Sequence, residues 1–496
     1  MSKSSIGTRD MTVGKPASVM ISFALPIMLS QLFQQMYNIA DSLIVGQYLG
    51  TNSLAAVSSS GTLIFLLVSF FNGTASGAGV AISRYFGAGD KDNVSRAIHT
   101  NIAFGLASGL TLTIIGVVFT PTFLTWMRTD PEVLPEAIEY FRFYFLGALA
   151  LIMYNICTSI LNAVGDSKRP LRYLIISSMM NVVLDILFVG VFKFGVWSAA
   201  VATVLSQLTS VILCLIYLCK KGNVFSVDFK KVRFHKDMFL EIVRYGLPSG
   251  IQNSVIGIAN VLVQTQINSF GKFATAAYGS HAKIEGFVFL PIGSFSMAIS
   301  TFISQNLGAK QYSRAKQGAK FGIIVSVSLA AIIGILCYIF SPVLIGLFDD
   351  SSKVIHYGVT QERIVSLFYS LLALSHAIAS VCRGSGKAFV PMFVMLLSWC
   401  AIRIVYIEIM MHTFGDIRLV YWAYPITWFI SSVIYLIYYF KSDWIHGFDA
   451  RPIGGKRFET PADNDTSVDY INDNTQNAQT DIINENSEDT ANASID

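Results

Sequence analysis

Charge is what this sequence most lacks: Asp, Glu, Lys and Arg make up only 13% of its 496 residues, against 53% hydrophobic residues and a mean hydropathy of +0.55. A chain so poor in charge cannot cover itself with polar surface, which excludes a soluble globular protein and leaves an integral membrane protein. Close cysteine pairing is also missing. Cys157, Cys214, Cys219, Cys337, Cys382 and Cys400 are scattered, mostly in apolar stretches, and read as small buried hydrophobes rather than as a metal or redox motif. There is no phosphate-binding Gly-Lys loop, and no pair among the seven histidines has metalloprotease spacing. These absences argue against ATP hydrolysis within the chain and against a membrane-embedded enzyme. The sequence calls for no cofactor, and nothing in it points to nucleic acid. Strict polar–apolar alternation over about ten positions is absent as well, so a transmembrane β-barrel is excluded.

What is present is a series of apolar segments of about 20 residues or more, long enough to cross a hydrocarbon layer about 30 Å thick as helices that satisfy their own backbone hydrogen bonds. Twelve are expected, at 17–45, 53–81, 97–120, 135–163, 170–192, 196–219, 240–269, 276–304, 318–347, 362–382, 389–411 and 419–440. Several are long enough to require tilt, a kink or extension beyond the bilayer.

The chain also repeats itself at one fixed offset: Gly87-Ala88 returns as Gly308-Ala309, Ile82-Ser83 as Ile303-Ser304, Ala55-Ala56 as Ala276-Ala277, and Pro170 as Pro391. The expected fold is therefore all-α, with twelve transmembrane helices in two pseudo-symmetric six-helix lobes around a central cavity. Residues 1–16 form an N-terminal segment, 17–219 the N-lobe, 220–239 a linker, 240–440 the C-lobe and 441–496 a tail. Residues 459–496 carry ten acids and no Lys or Arg, a composition expected to stay disordered.

Lys and Arg in short loops mark the cytoplasmic side. The loops 82–96, 164–173, 219–239, 305–321 and 382–388 hold eighteen basic residues, among them Arg84 and Arg383, whereas the alternate loops hold six. Both termini of a multi-pass cell-membrane protein are then expected in the cytoplasm. Residues 1–16 lack the apolar core and cleavage site of a removable signal peptide.

The two halves differ where it matters chemically. Asp41 and Asp185 lie deep in apolar segments of the first half, while the positions that match them in the repeat are Leu262 and Tyr406. A charged carboxylate inside a membrane costs several kcal/mol unless it faces protein, water or a cation. Asn181 and Asp185 are four residues apart, hence on one helical face, and Thr203 in the next segment offers a hydroxyl. Such oxygens suit either a Na⁺ site or a proton site, and the sequence leaves both open. Pro26, in the first segment, removes a backbone hydrogen bond and allows a kink. The second half has charges of its own in apolar segments, among them Lys283, Glu285 and Arg403, with His376 in the tenth, and Glu285 and Arg403 are expected either to pair or to meet substrate. The many aromatics, 36 Phe and 21 Tyr, include candidates to line a pocket for flat cations.

The stretch Tyr37-Asn38-x-x-Asp41-Ser42-x-x-x-Gly46, the Gly87-Ala88 step, Gln305-Asn306-Leu307-Gly308-Ala309 and Asn181-x-x-x-Asp185 resemble the MATE (multidrug and toxic compound extrusion) family, in its DinF-type branch, over about residues 15 to 445. The resemblance implies Na⁺- or H⁺-coupled antiport of amphipathic, often cationic small molecules through a cavity between two lobes. It implies cation coupling at Asp41, Asn181, Asp185 and Thr203, with Pro26 as a hinge. The other branch of the family uses an acid in the seventh helix; here that region reads Pro248-Ser249-Gly250-Ile251-Gln252-Asn253, leaving Glu285, Lys283, Arg403, Gln252 and Asn253 as a possible polar site in the C-lobe. The rival is a flippase of lipid-linked oligosaccharide precursors from the same superfamily, which needs a wide polar or cationic cavity. No oligomer is implied.

Overall fold

The structure, a computed structural model, describes residues 10–127, 129–220 and 222–448. Residues 1–9, Arg128, Lys221 and the acidic tail from 449 onward lie outside that range. The described residues form one compact unit.

Twelve helical rods run through the described residues: α1 (Pro16–Leu49), α2 (Thr51–Gly87), α3 (Lys91–Trp126), α4 (Leu134–Leu146 and Ala148–Ala163, bent by 46°), α5 (Lys168–Val191), α6 (Trp197–Leu218), α7 (Lys236–Asn268), α8 (Lys272–Gly308), α9 (Tyr312–Gly346), α10 (Ser352–Gly384), α11 (Phe389–Thr413) and α12 (Ile417–Lys441). The rods of the second half follow their counterparts at nearly the offset of the sequence repeat. By length and apolarity, nine of the rods among the described residues qualify as membrane spans and bent α4 makes a tenth. The other two, α2 and α7, are the rods that meet across the lobes. α7 is diluted by Gly, Ser, Gln and Asn and carries Glu241 and Arg244 near one end, whereas the run 54–71 of α2 is uncharged and as apolar in sequence as the other spans.

The helices reach beyond the apolar stretches. α2 continues to Gly87 and α10 to Gly384, so Arg84 and Arg383, which sequence places in loops, belong to helices. A helix carries its hydrogen-bonded ladder past the hydrocarbon edge at no penalty, since water and neighbouring rods accept the polar side chains.

The repeated residues form the contact between the lobes. A Cβ on Gly87 would fall 2.0 Å from the carbonyl oxygen of Gln305, and one on Gly308 would fall 2.1 Å from that of Arg84. The two contacts are the same contact related by the repeat. Within each lobe the repeat is kept as well: the Ser83 hydroxyl donates to the Ala163 carbonyl at 3.0 Å, and its counterpart Ser304 donates to the Gly384 carbonyl at 2.8 Å. Further along, α2 and α7 touch backbone to backbone, with a Cβ on Gly77 falling 2.2 Å from Gly246 Cα.

Polar bonds reinforce this end. Arg84, 4% exposed, pairs with Glu241 at 2.9 Å, and the Tyr85 hydroxyl donates to the same carboxylate at 2.6 Å. Two terminal segments brace the junction. Met11 is fully buried, its N–H donating to Gln305 Oε1 at 3.0 Å and its carbonyl accepting from Asn306 and Arg314. Residues 442–448, which composition groups with the tail, turn inward, burying Trp444 and laying the Phe448 ring 4.5 Å beneath the Arg84 guanidinium. Those two rings supply the apolar area that offsets the entropy of ordering the segment. In the linker, Asp228 N–H donates to His99 Nε2 at 2.9 Å and His235 N–H to Thr100 Oγ1 at 3.3 Å, tying the crossing to α3.

Candidate functional site

Asp41, Asn181, Asp185 and Thr203 come together inside the first lobe. α1 supplies Asp41, α5 supplies Asn181 and Asp185 one turn apart, and α6 supplies Thr203. Asp185 and Asn181 are 0% and 1% exposed. The Asp41 and Asp185 carboxylates are close enough to act on each other's charge. Asn181 Nδ2 donates to Thr203 Oγ1 at 3.5 Å, and the Thr203 hydroxyl donates back to the Ala199 carbonyl at 3.1 Å. Asp41 Oδ1, Asn181 Oδ1 and both Asp185 oxygens are buried and receive no donor. The site is therefore a set of acceptors without a cation or proton donor from the protein.

Side chains that sequence reading passed over complete the shell. Tyr37 lies beside Gln34 and Gln207, and Tyr140 faces Asp41, Asp185 and Tyr37. A small apolar cluster of Val45, Val189, Ala199 and Ala200 packs around them. Tyr140 and Gln207 sit in helices α4 and α6 with nothing in their local sequence to mark them. α5 widens into a π-helical turn over Ile186–Val191, immediately after Asp185, a distortion often found where a helix serves a site.

Pro26 lies where α1 changes company. The preceding residues, Val19, Met20 and Phe23, pack with Phe295, Ile299 and Phe302 of α8, whereas the following half of α1 carries Asp41 to α5. The Ser30 hydroxyl donates to the Pro26 carbonyl at 2.9 Å.

The second lobe does not assemble the expected polar group. Lys283 is exposed and stands over the Phe348 ring at 5.0 Å, away from the interior. Glu285 and Arg403 influence each other but form no ion pair among the described residues. Arg403, 1% exposed, instead donates to Thr427 Oγ1 at 3.0 Å and to Asn260 Oδ1 at 3.4 Å and lies 4.5 Å over Tyr424. The ring supplies the cation's counter-field, so the carboxylate is not needed for its burial. Gln252 donates to Met395 Sδ of α11 at 2.7 Å, within its own lobe, whereas Asn253 donates across the lobe junction to the Ser69 carbonyl at 3.4 Å. A buried pair that sequence did not indicate, His281 Nδ1 with Glu362 Oε2 at 2.6 Å, lies in the same lobe, with the Tyr369 hydroxyl donating to Glu362. The partners are 81 residues apart and share no motif. No group of three or more His, Cys, Asp or Glu forms a metal centre among the described residues.

Between the lobes, above the sealed end, lies a cavity of about 430 Å³ lined mainly by amides and hydroxyls from α1, α2, α4, α7 and α8. Its lining includes no carboxylate, and of the Phe and Tyr residues only Phe289 and Tyr154 reach it, among the described residues. In this cavity the aromatic lining expected for flat cations is limited to those two rings among the described residues.

An all-helical membrane fold in two lobes with a polar cavity between them defines a class, the membrane transporter. Comparison with known proteins gives the family. Residues 26–187 and 248–407 each match the MatE family, one copy in each half. The chain is 29% identical to the probable multidrug resistance protein YoeA of Bacillus subtilis over 84% of this chain and 92% of that one. It is 25% identical to the multidrug export protein MepA of Staphylococcus aureus over 75% and 80% of the two chains. Its fold superposes, with a TM-score of 0.82 and 22% identity, on an outward-facing multidrug resistance MATE family transporter of the MOP superfamily, covering 88% of this chain and 98% of that one. The chain belongs to the MATE family: it is a multi-pass membrane transporter and not an enzyme.

Proposed function

We propose that this protein is a secondary active exporter of amphipathic small molecules, antiporting them against Na⁺ or H⁺ taken up at Asp41, Asn181, Asp185 and Thr203. The observation that carries the reading is the set of buried, donor-free oxygens on Asp41, Asn181 and Asp185. Two carboxylates about 4 Å apart repel by about 4 kcal/mol at an effective dielectric of about 20, and here no hydrogen-bond donor among the described residues offsets that repulsion. A positive ion between them removes the repulsion. Na⁺ fits because every available ligand is oxygen, and a single shared proton fits because two facing carboxylates can hold one between them. The multidrug names of the relatives support efflux as the direction of transport.

Alternating access follows from the fold's symmetry. With the basic loops in the cytoplasm, both termini are cytoplasmic, and the sealed end made by Gly87, Gly308 and Arg84–Glu241 is the cytoplasmic one. The cavity is then closed to the cytoplasm in this conformation. α1 links the ion site to the second lobe through Pro26, so occupancy at Asp41 can bias how α1 crosses between lobes. A cavity of about 430 Å³ suits a drug-sized molecule and is small for an oligosaccharide precursor, which favours the exporter over the flippase.

The test is drug transport in proteoliposomes under imposed Na⁺ and pH gradients. Asp185→Asn should insert normally and lose gradient-driven transport. Undiminished driven transport by this variant would overturn the coupling assignment.

A further inference from the structure

Arg383 stands in the last turn of α10, next to Gly384, whose carbonyl accepts from Ser304, and it is the single cavity-lining residue with a full charge among the described residues. Its Nη2 donates to Ser380 Oγ at 2.9 Å. The titratable groups that face it, from α10 itself and from the packed rods, are Cys382, Tyr435 and His376, and no carboxylate is among them. A guanidinium has five donors in a fork that matches a carboxylate, sulfonate or phosphate, and Ser380 uses one. The dipole at a helix C-terminus attracts a cation weakly and fills none of the remaining donors.

The rest of the lining agrees. Gln31, Asn72, Asn155 and Thr158 bring further amides and a hydroxyl to the same cavity. These are hydrogen-bonding positions for the uncharged polar body of a ligand, surrounding one fixed positive charge. A cationic ligand finds no opposite charge there and meets repulsion from Arg383.

We propose that Arg383 is an anion-recognition residue at the floor of the cavity, so that preferred substrates carry a carboxylate, sulfonate or phosphate on an amphipathic body. This rests on the exporter reading for the cavity being the transport path, but the binding itself does not require a gradient. The anionic group belongs either to a soluble amphiphile or to a lipid headgroup.

The experiment measures equilibrium binding of two xanthene dyes of similar size and opposite charge, 6-carboxyfluorescein and rhodamine 123, to the full-length protein in phosphatidylcholine nanodiscs. Wild type should bind carboxyfluorescein more tightly than rhodamine 123. Arg383→Gln should weaken carboxyfluorescein about tenfold or more, the scale of a lost charged hydrogen bond, and Arg383→Lys should keep most of the affinity. In the wild type, whose folding is not in question, competition separates the sources. Displacement by 1-naphthalenesulfonate alone assigns the site to soluble anions, and loss of dye binding when phosphatidylglycerol is included in the nanodisc assigns it to lipid. Tighter binding of rhodamine 123 by the wild type, absence of carboxyfluorescein binding, or equal loss in the Lys and Gln variants would overturn the proposal. Binding as expected with no gradient-driven transport of either dye would instead sink the exporter reading and leave Arg383 as an anion site.

Discussion

Removing the carboxylate of Glu241 should open the sealed end. In the closed form Glu241 is the counter-charge of Arg84, at 2.9 Å with side chains 4% and 16% exposed, and it also accepts the Tyr85 hydroxyl at 2.6 Å. Deleting one partner of a buried pair typically costs about 3–5 kcal/mol, because the other charge is left uncompensated. Here the Phe448 ring, 4.5 Å from the guanidinium, retains part of the stabilisation, and a contribution of about 1–2 kcal/mol from that stacking is reasonable. The net loss is then about 3 kcal/mol, felt only where the groups are buried. Once the lobes separate, water solvates Arg84 whether or not Glu241 is present. At about 1.4 kcal/mol per decade, Glu241→Gln should shift the closed-to-open ratio about 100-fold toward open. Spin labels at Lys91→Cys and Lys310→Cys, both exposed at this end, would report the separation by pulsed dipolar spectroscopy. The single variant should show a longer distance population. Arg84→Met combined with Glu241→Gln should recover much of the closed distance, since an apolar replacement of the cation leaves nothing charged to hydrate. An unchanged distribution in Glu241→Gln, or a double variant more open than the single, would refute this reasoning.

Other outcomes follow from the same geometry. Pro26→Ala restores a backbone N–H where α1 passes from one lobe to the other, so drug transport should fall severalfold while ion binding at Asp41 and Asp185 persists; loss of both together would remove Pro26 as a hinge. Gly77→Leu puts side-chain atoms into a space where even a Cβ meets Gly246 Cα at 2.2 Å, and overpacking of about 1–3 kcal/mol or more at the lobe junction should show as a fall in melting temperature and a cavity leaky to cytoplasmic thiol reagents. A stable, sealed Leu variant would contradict the close packing of α2 on α7.

Much of this was legible in the sequence, for identifiable reasons. Apolar length locates the rods, and the constant offset of the repeat finds their symmetry because the repeated Gly residues touch at the two-fold junction and the repeated Ser residues make the same bond within each lobe. Asp41 and Asp185 stand out because carboxylates in apolar runs are costly. What apolarity conceals is where a helix ends, so Arg84 and Arg383 read as loop charges although one clamps the lobes and the other lines the cavity. Charge in an apolar run is also not sufficient to mark a site. Lys283 escapes to an exposed position over an aromatic ring, and Arg403 is held by Thr427 and Tyr424 rather than by Glu285. His281 and Glu362 needed the fold itself, since only packing of α8 on α10 brings them together.

The central claim, that two acids in one lobe hold the driving ion, is tested most directly by equilibrium binding of radiolabelled Na⁺ and, in parallel, proton uptake by the purified protein. Wild type should take up one of the two ions, and both Asp41→Asn and Asp185→Asn should abolish that uptake without lowering the amount of folded protein. Ion uptake equal to wild type in both variants would contradict the account.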